Sequence, residues 1–238
     1  MAFRCLSHVH THHSLDSLLS PARIIAAARE LGADVLIVTD HETLTGSLAV
    51  RELANGNPRF VPAAAEYRTD KGDLIGVFLQ SEVKEKRAEA VADQIHEQGG
   101  LVILPHPFKA HVLDASLLSR VDIIETYNAR CSAKENASAD ELAATHGLPA
   151  IAGADAHCAG ELHATLNVLE GETPSDQEQL RQALLHASRS WNIRAVSGVY
   201  RPISQIVKAW KTRNAELLLW QSRKLAVTIA REIWQQLI

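Results

Sequence analysis

"HVHTHHSLDS", residues 8–17, places four of the chain's 12 histidines within six positions, where the apolar run "FRCLSHVH" (3–10) comes to its end. Residues i and i+2 of an extended chain point the same way, so His8 and His10 present both imidazoles to one point. The same spacing returns in Asp155 and His157, which close the run "LPAIAGADAH" (148–157). Two strand ends carrying paired ligand-type side chains raise the question of what chain lies between them.

The intervening sequence alternates. Pro21 opens the helical pattern "PARIIAAARELG", which stops at Gly32, the expected punctuation of a helix start and end. "DVLIVTD" (34–40) reads as a second buried strand and "GSLAVRELA" as a second helix. "RFVPAAAE" and "DLIGVFLQ" read as strands around the turn signal "RTDKG". A long helix is expected over "VKEKRAEAVADQIHEQGG", then the strand "LVILPHP", a short helix near Asp114–Ser119, the strand "VDIIETYN", the helix "KENASADELAATHG" and a last strand. Near-continuous apolar strands alternating with helices predict an α/β fold whose mostly parallel sheet is covered by helices. At 238 residues, a closed or nearly closed β/α barrel fits better than an open doubly wound sheet. No GxGxxG or Walker-type loop follows any strand, so a nucleotide-binding Rossmann reading has no support.

With 46% hydrophobic residues the chain can bury a sizeable core, which argues against disorder. No apolar run approaches the roughly 20 residues that span a bilayer. No basic segment followed by a long apolar stretch opens the chain, so neither a leader nor a membrane partner is expected. Cys5, Cys131 and Cys158 are odd in number and far apart, which suits a reducing compartment and makes the cytoplasm the expected location. The net charge of −4 hides a division: from Gly198 onward there are seven Lys/Arg against two Asp/Glu. Residues 1–197 therefore read as an acidic body and residues 198–238 as a basic, tryptophan-bearing helical extension. That extension carries Trp210, Trp220 and Trp234, with apolar residues at helical spacing (Ile203, Ile206, Val207, Trp210; then Leu218, Leu225, Ile229, Ile233). It is expected to pack on the body or to form a homo-oligomer contact.

In a β/α barrel, side chains at the C-terminal ends of the strands converge on one mouth. Here those ends carry His8 and His10 with Asp16 just beyond, then Asp40 and His41, Glu66, Asp73 at the start of the fourth strand, His106, and Asp155 with His157. Taken singly, each has a plain structural reading: Asp40 could cap a helix, Glu66 could be a solvated strand-end charge, and Asp73 could be a turn carboxylate. Their joint occurrence at successive strand ends points to metal binding. A set of imidazole nitrogens and carboxylate oxygens suits Mn²⁺, Zn²⁺ or Fe²⁺, and the set is too large for one ion, so two or three divalent ions are expected. His96, His146 and His186 fall in helical patterns and read as surface or core residues. Cys131 and Cys158 read as packed small side chains.

The motifs "HVHTHHSLDS", "TDHETLTGS", "VPAAAEYRTDKGD", "GGLVILPHPF", "VDIIETYNAR" and "GLPAIAGADAH", in this order, resemble the PHP (polymerase and histidinol phosphatase) domain family over about residues 3–170. The resemblance implies a distorted (β/α)7 barrel of the PHP type with the C-terminal helices appended, up to three divalent ions, and phosphoester hydrolysis. It implies that His8, His10, Glu66 and Asp155 hold one ion. Glu66 would bridge to a second ion bound by His106, with Asp73 where many members carry another ligand. Asp16, His41 and His157 would hold a third, and Asp40 would orient a ligand or bind directly. Asn128 and Arg130 match a segment lining the family's active-site mouth, which makes Arg130 the candidate phosphate contact. The structural alternative for Arg130 is a salt bridge to a neighbour such as Glu135. His12 and His13 have no slot in the metal set, and His13 is a candidate substrate contact. Departures from the pattern are Leu6, Ala64 and the Ala154 of "ADAH", none of which removes a matched ligand; Asp73 is the departure that bears on a full three-ion site.

The function expected from this reading is hydrolysis of a small phosphomonoester or nucleotide, or a short oligonucleotide, by a metal-bound hydroxide. His157 or His41 would supply a proton to the leaving group, with Asp40 beside them. Two rivals remain. An amidohydrolase also begins with HxH on its first strand, but needs neither the "TDH" nor the DxH pair. A metal-holding regulatory or interaction module would use the basic extension as its working part, and only activity separates it from an enzyme.

Overall fold

The computed structural model describes residues 1–237, with side chains to Gln235; Ile238, the last residue of the expected extension, lies outside the described residues. The chain runs β1 (Ala2–Val9), α1 (Pro21–Glu30), β2 (Val35–Val38), α2 (Thr45–Ala54), β3 (Ala64–Thr69), β4 (Gly72–Val77), α3 (Ala88–Glu97), β5 (Leu101–Leu104), α4 (Ala115–Leu118), β6 (Ile123–Asn128), α5 (Ala133–His146), β7 (Ala150–Gly153), β8 (Thr165–Glu170), α6 (Gln177–His186), β9 (Arg189–Ile193), α7 (Tyr200–Lys211) and α8 (Ala215–Leu237). A 3₁₀ turn at Ala159–Glu161 follows β7.

Local chemistry sets the helix ends. The Ser20 hydroxyl accepts from the Arg23 amide, Pro21 occupies the first turn of α1, and Gly32 follows its end at φ +62°. Such a cap stabilises a helix by about 1 kcal/mol. The inner face of α1 buries Ile24, Ile25, Ala27 and Ala28. α5 starts with a reciprocal capping box between Ser132 and Glu135 and ends at Gly147 in the left-handed conformation. α3 is shorter than its polar-rich sequence suggests: "VKEKR" stays outside, and the helix begins where Ala88, Val91, Ala92 and Ile95 can be buried.

The architecture is α/β, but the strands form two sheets, β2-β1-β8-β9 and β3-β4-β5-β6-β7. The α/β expectation holds, while closure into one mostly parallel seven-stranded barrel is not what these two ladders show. The β1/β2, β5/β6 and β6/β7 pairs are parallel, whereas β1/β8, β3/β4, β4/β5 and β8/β9 are antiparallel. The reason is partly connection length: only Asp70 and Lys71 separate β3 from β4, and a parallel pair needs a crossover of about a dozen residues. Asn167 of β8 occupies the gap between sheets. Its amide oxygen accepts from Ala152 N at 2.8 Å, and its amide nitrogen donates to Ala152 O and Cys5 O.

The two sheets meet where the polar strand ends lie. Ala154 N donates to Ser7 O, Ala156 N to His8 O, and His10 N to Ala156 O, joining the end of β1 to the end of β7. On the other side Glu66 N donates to Asp40 O and Glu42 N to Glu66 O, joining the end of β2 to β3. These few bonds bring Asp40, His41, Glu66, His8, His10 and Asp155 to one place. No helix among the described residues is long and apolar enough to cross a membrane.

Candidate metal centre

The backbone is strained where it delivers these side chains. His8 (φ 61°), His106 (φ 31°) and Asp155 (φ 47°) all adopt positive φ without being glycine. Each such residue costs on the order of 1–3 kcal/mol and persists only where its surroundings over-determine it. At His8 the strain coincides with a register shift in the β1/β2 ladder between Ser7 and Val9.

Five imidazoles and three carboxylates converge, nearly all buried. Glu66 is central: its Oε1 lies 3.2 Å from His106 Nε2, and its Oε2 lies 3.5 Å from His8 Nε2, 3.4 Å from His10 Nε2 and 3.2 Å from His41 Nδ1. Asp155 Oδ1 lies 3.7 Å from both His8 Nε2 and His10 Nε2. Asp16 faces His157 Nε2 at 3.4 Å and His41 Nε2 at 3.6 Å. Three overlapping groups place their donor atoms within 4.8 Å of one another: His8, Glu66 and His106; His8, His10 and Asp155; and His10, His41 and His157. Donors bound to one ion at about 2.1 Å stand roughly 3–4 Å apart, the spacing seen here.

Outer partners fix which nitrogen faces inward. His8 Nδ1 lies 2.7 Å from Glu125 Oε1, and a carboxylate only accepts, so Nδ1–H donates and Nε2 carries the lone pair. Ser14 Oγ donates its proton to Asp40 Oδ1 at 2.5 Å, so it accepts from His10 Nδ1 at 3.2 Å, and His10 Nε2 also carries its lone pair inward. His157 Nδ1 lies between the Asp155 carbonyl at 2.9 Å and the Arg130 guanidinium at 3.2 Å, which leaves its Nε2 facing Asp16. The buried His8 Nε2, His10 Nε2, His106 Nδ1 and Asp16 Oδ1 have no hydrogen-bond partner. Two of these, His8 Nε2 and His10 Nε2, face the Glu66 and Asp155 carboxylates; leaving such buried atoms unpaired is costly, and the residues present fit divalent cations between them.

The charges agree. Burial disfavours charging Glu66 and Asp155, yet His41 and His8 around the first, and His8, Lys109 and Arg130 around the second, outweigh it and hold both well below the carboxylate range. Burial, reinforced by His157 and His41, pushes His10 well below the usual imidazole value. Burial also disfavours charging His8 and His41, but Glu125, Asp155 and Glu66 around the first outweigh it and push it well up, and Glu66 and Asp16 push the second up to about 9, so without an ion positive imidazoles balance the anionic oxygens.

Several expected roles change. Both oxygens of Asp40 are taken: Oδ1 accepts from Thr11 N, Ser14 N and Ser14 Oγ, and Oδ2 from Thr11 Oγ1 at 2.7 Å. It braces the loop after β1, and Gly46 is required beside it, since a Cβ there would lie 1.7 Å from Asp40 Oδ2. Asn128 is fully buried and donates to Glu125 Oε2 at 2.8 Å and Asp155 Oδ2 at 3.3 Å, so it positions carboxylates inside the site. Arg130 is likewise buried. Its Nε donates to Glu161 Oε1 at 2.8 Å, its Nη2 donates to Ser204 Oγ at 2.7 Å and Tyr200 O at 3.3 Å, and its Nη1 lies 3.2 Å from His157 Nδ1. Its partner is Glu161; Glu135 is occupied in the α5 cap. Asp73 stands outside the converging groups, with its carboxylate 3.5 Å from Arg68 Nε and its carbonyl beside His111 Nε2.

The structure also brings in Glu125, Ser14 and Lys109, which the sequence reading passed over. Lys109 Nζ lies 3.6 Å from Asp155 Oδ2 at the rim. Glu125 carried a signal, an acidic residue inside the apolar run "VDIIETYN", whereas Ser14 carried none. A cavity of about 270 Å³ opens onto Asp16 and His41, lined also by His13, Glu42, Arg68 and Lys208. His13 is exposed on its wall, where a substrate contact was expected.

Residues 7–190 match the PHP domain family. The uncharacterized Methanocaldococcus jannaschii protein MJ1587 is 33% identical over 112 residues, which cover 42% of this chain and 66% of that relative. Among solved structures, a two-domain protein from Bacteroides vulgatus, containing a predicted PHP-like metal-dependent phosphoesterase, superposes with a TM-score of 0.68 at 16% identity. The match covers 82% of this chain and 65% of that one. An amidohydrolase from Chromobacterium violaceum with bound sulfate and no metal superposes with a TM-score of 0.52 at 16% identity, covering 66% of this chain and 88% of that one. The chain thus spans slightly less than two thirds of the first two proteins, and at 16% identity the structural likeness speaks to the fold.

Proposed function

This chain belongs to the PHP domain family, and from that premise we propose that it is a cytoplasmic hydrolase that uses two or three divalent ions, Mn²⁺, Zn²⁺ or Fe²⁺, to cleave a small phosphomonoester or nucleotide. The observation that carries the reading is the inward convergence of partnerless imidazole nitrogens on Glu66 and Asp155. In this reading His8, His10, Glu66 and Asp155 hold one ion. Glu66 and His106 hold a second, and Asp16, His41 and His157 hold a third; Asp73 contributes to none. Bound ions would draw charge from the phosphoryl oxygens and make water available as a nucleophile near neutral pH.

The chain's own residues do the remaining work. Glu125 and Ser14 hold His8 and His10 with Nε2 facing inward, a type of outer contact whose loss typically weakens metal affinity 10–100-fold. Ser14, Cys131 and Cys158, which lie beside the site, are not set up as nucleophiles. The Ser14 proton goes to Asp40, and burial pushes the Cys131 and Cys158 thiols up to about 12. Water is therefore the attacking group. Both ring nitrogens of His157 and of His41 face other groups of the site, so the proton for the leaving oxygen would come from His13, which is open to the cavity.

The test is phosphate release by the Mn²⁺-loaded protein from a panel of phosphomonoesters and, with a coupling phosphatase that converts the freed mononucleotide, from dinucleotides and short oligonucleotides. Turnover of at least one class, abolished by chelation, is expected. Metal-loaded protein that releases phosphate from none of them would overturn the reading.

A further inference from the structure

The family match ends at residue 190, yet the cavity above the metal centre is completed by a residue beyond it. α7 is fastened across the site at two points. Near its start, Ser204 Oγ and the Tyr200 carbonyl accept from Arg130, whose guanidinium also meets His157. At its end, Lys211 Nζ donates to the carbonyls of His12 (2.8 Å), Ser14 (2.7 Å) and Ser17 (2.7 Å), the loop that carries Asp16. Three carbonyls occupy all three protons of that ammonium, so Lys211 has none left for a ligand.

Lys208 lies between these anchors. Positions 204, 208 and 211 are spaced i, i+4 and i+7, which puts them on one face of the helix. Lys208 therefore looks into the cavity shared with Asp16, His41, His13 and Arg68. The carboxylates lining that cavity have other partners: Asp16 faces His41 and His157, while Glu42 pairs with Lys86 and accepts from Arg68 N. That leaves Lys208 a cation without a carboxylate of its own among the described residues, held over the mouth by a helix pinned at both ends. Across the cavity stands Arg68, whose guanidinium touches Asp73 only at 3.5 Å.

We propose that α7 is part of the active site and that Lys208 binds the phosphate oxygens of the substrate, with Arg68 facing it. The proposal rests on the phosphoesterase reading above, and it names a binding residue supplied from outside the PHP match. A point cation on a flexible stem, with its three protons free, suits a tetrahedral dianion. Position adds specificity: an anion bound between Lys208 and the Asp16/His41 floor cannot extend far towards α7, which favours a compact phosphoester over a long polymer.

The experiment is titration of inorganic phosphate into Mn²⁺-loaded protein by calorimetry, followed by kinetics on the best substrate of the panel. Four proteins are compared: wild type, Lys208→Gln, Lys208→Arg and Lys224→Gln. Lys224 sits on the same extension against the Trp220 ring, away from the cavity, and serves as the charge control. Loss of one charge-assisted contact should weaken phosphate binding by about tenfold or more in Lys208→Gln. KM should rise by a similar factor with metal content unchanged, Lys208→Arg should recover only part of the lost binding, and Lys224→Gln should stay close to wild type. If wild type binds phosphate and turns over but Lys208→Gln matches it in both, this proposal falls and the phosphoesterase reading stands. If metal-loaded wild type neither binds phosphate nor hydrolyses any of the panel, the phosphoesterase reading falls and takes this proposal with it.

Discussion

Glu125 has both carboxylate oxygens committed to the site. Oε1 takes the His8 Nδ1 proton, and Oε2 accepts from His106 N and Asn128 Nδ2. Gly153 lies against it so closely that a Cβ there would be 1.6 Å from Oε1. Gly153→Ala must therefore displace Glu125 and turn His8, and Mn²⁺ affinity by equilibrium dialysis should fall by roughly 10–100-fold. Unchanged affinity would remove Glu125 from its orienting role. Arg130 forms a buried pair with Glu161 and forks onto Ser204 and Tyr200, a span that a single ammonium cannot cover. Arg130→Lys should cost ~3 kcal/mol, as broken buried pairs do. That corresponds to a Tm lower by about 6–12 °C in a chain of this size, with KM for phosphoester rising only as far as the loosened start of α7 displaces Lys208. A raised KM with unchanged Tm would instead return Arg130 to the substrate. At this scale the side chains that converge were legible because i, i+2 spacing at strand ends exposes them. Their holders were not, because a carboxylate in an apolar strand or an arginine after "YN" reads the same whether it meets substrate or protein.

Among the elements, the short strands and their intervening helices follow from apolar runs bounded by caps and glycines, as Ser20, Pro21 and Gly32 illustrate around α1. β8, α6 and β9 escaped the sequence reading. β8 carries the buried polar residues Thr165 and Asn167, and β9 ("RSWNI") is half-exposed, so neither presents an apolar run. Their pairing is decided by β1 and by the Asn167 amide, contacts distant in sequence. α7 was legible as a helix, but its attachment was not, since Lys211 meets only backbone carbonyls. Lys211→Gln should remove about 1.5–3 kcal/mol of charge-assisted bonding. Amide hydrogen exchange across residues 11–19 should then quicken, while the helices far from α7 exchange as before. Equal protection of that loop in both proteins would show that α7 does not brace it.

Across the whole molecule, the charge division of the sequence acquires a physical meaning. The acidic body concentrates Asp16, Glu66, Asp155 and Glu125 in one buried centre, and the basic extension lays Lys208 and Lys211 over its mouth. The remainder of the extension follows a different logic. α8 leaves Leu219, Trp220, Ile233 and Trp234 exposed, and nothing in the metal centre depends on them. What sequence composition could not convey is closure. A barrel is the natural expectation from alternating units, yet two sheets held together by a few bonds at the ligand-bearing ends deliver the same convergence of side chains. The account stands on that convergence being a metal centre, and Glu66, which faces His8, His10, His41 and His106, is its hub. The most direct measurement is elemental analysis of wild type and Glu66→Gln after reconstitution with Mn²⁺ and removal of free ion. Two or three ions per wild-type chain, with fewer in a Glu66→Gln protein that remains folded, is the predicted result. Less than one ion per wild-type chain, or an undiminished count in the variant, would contradict it.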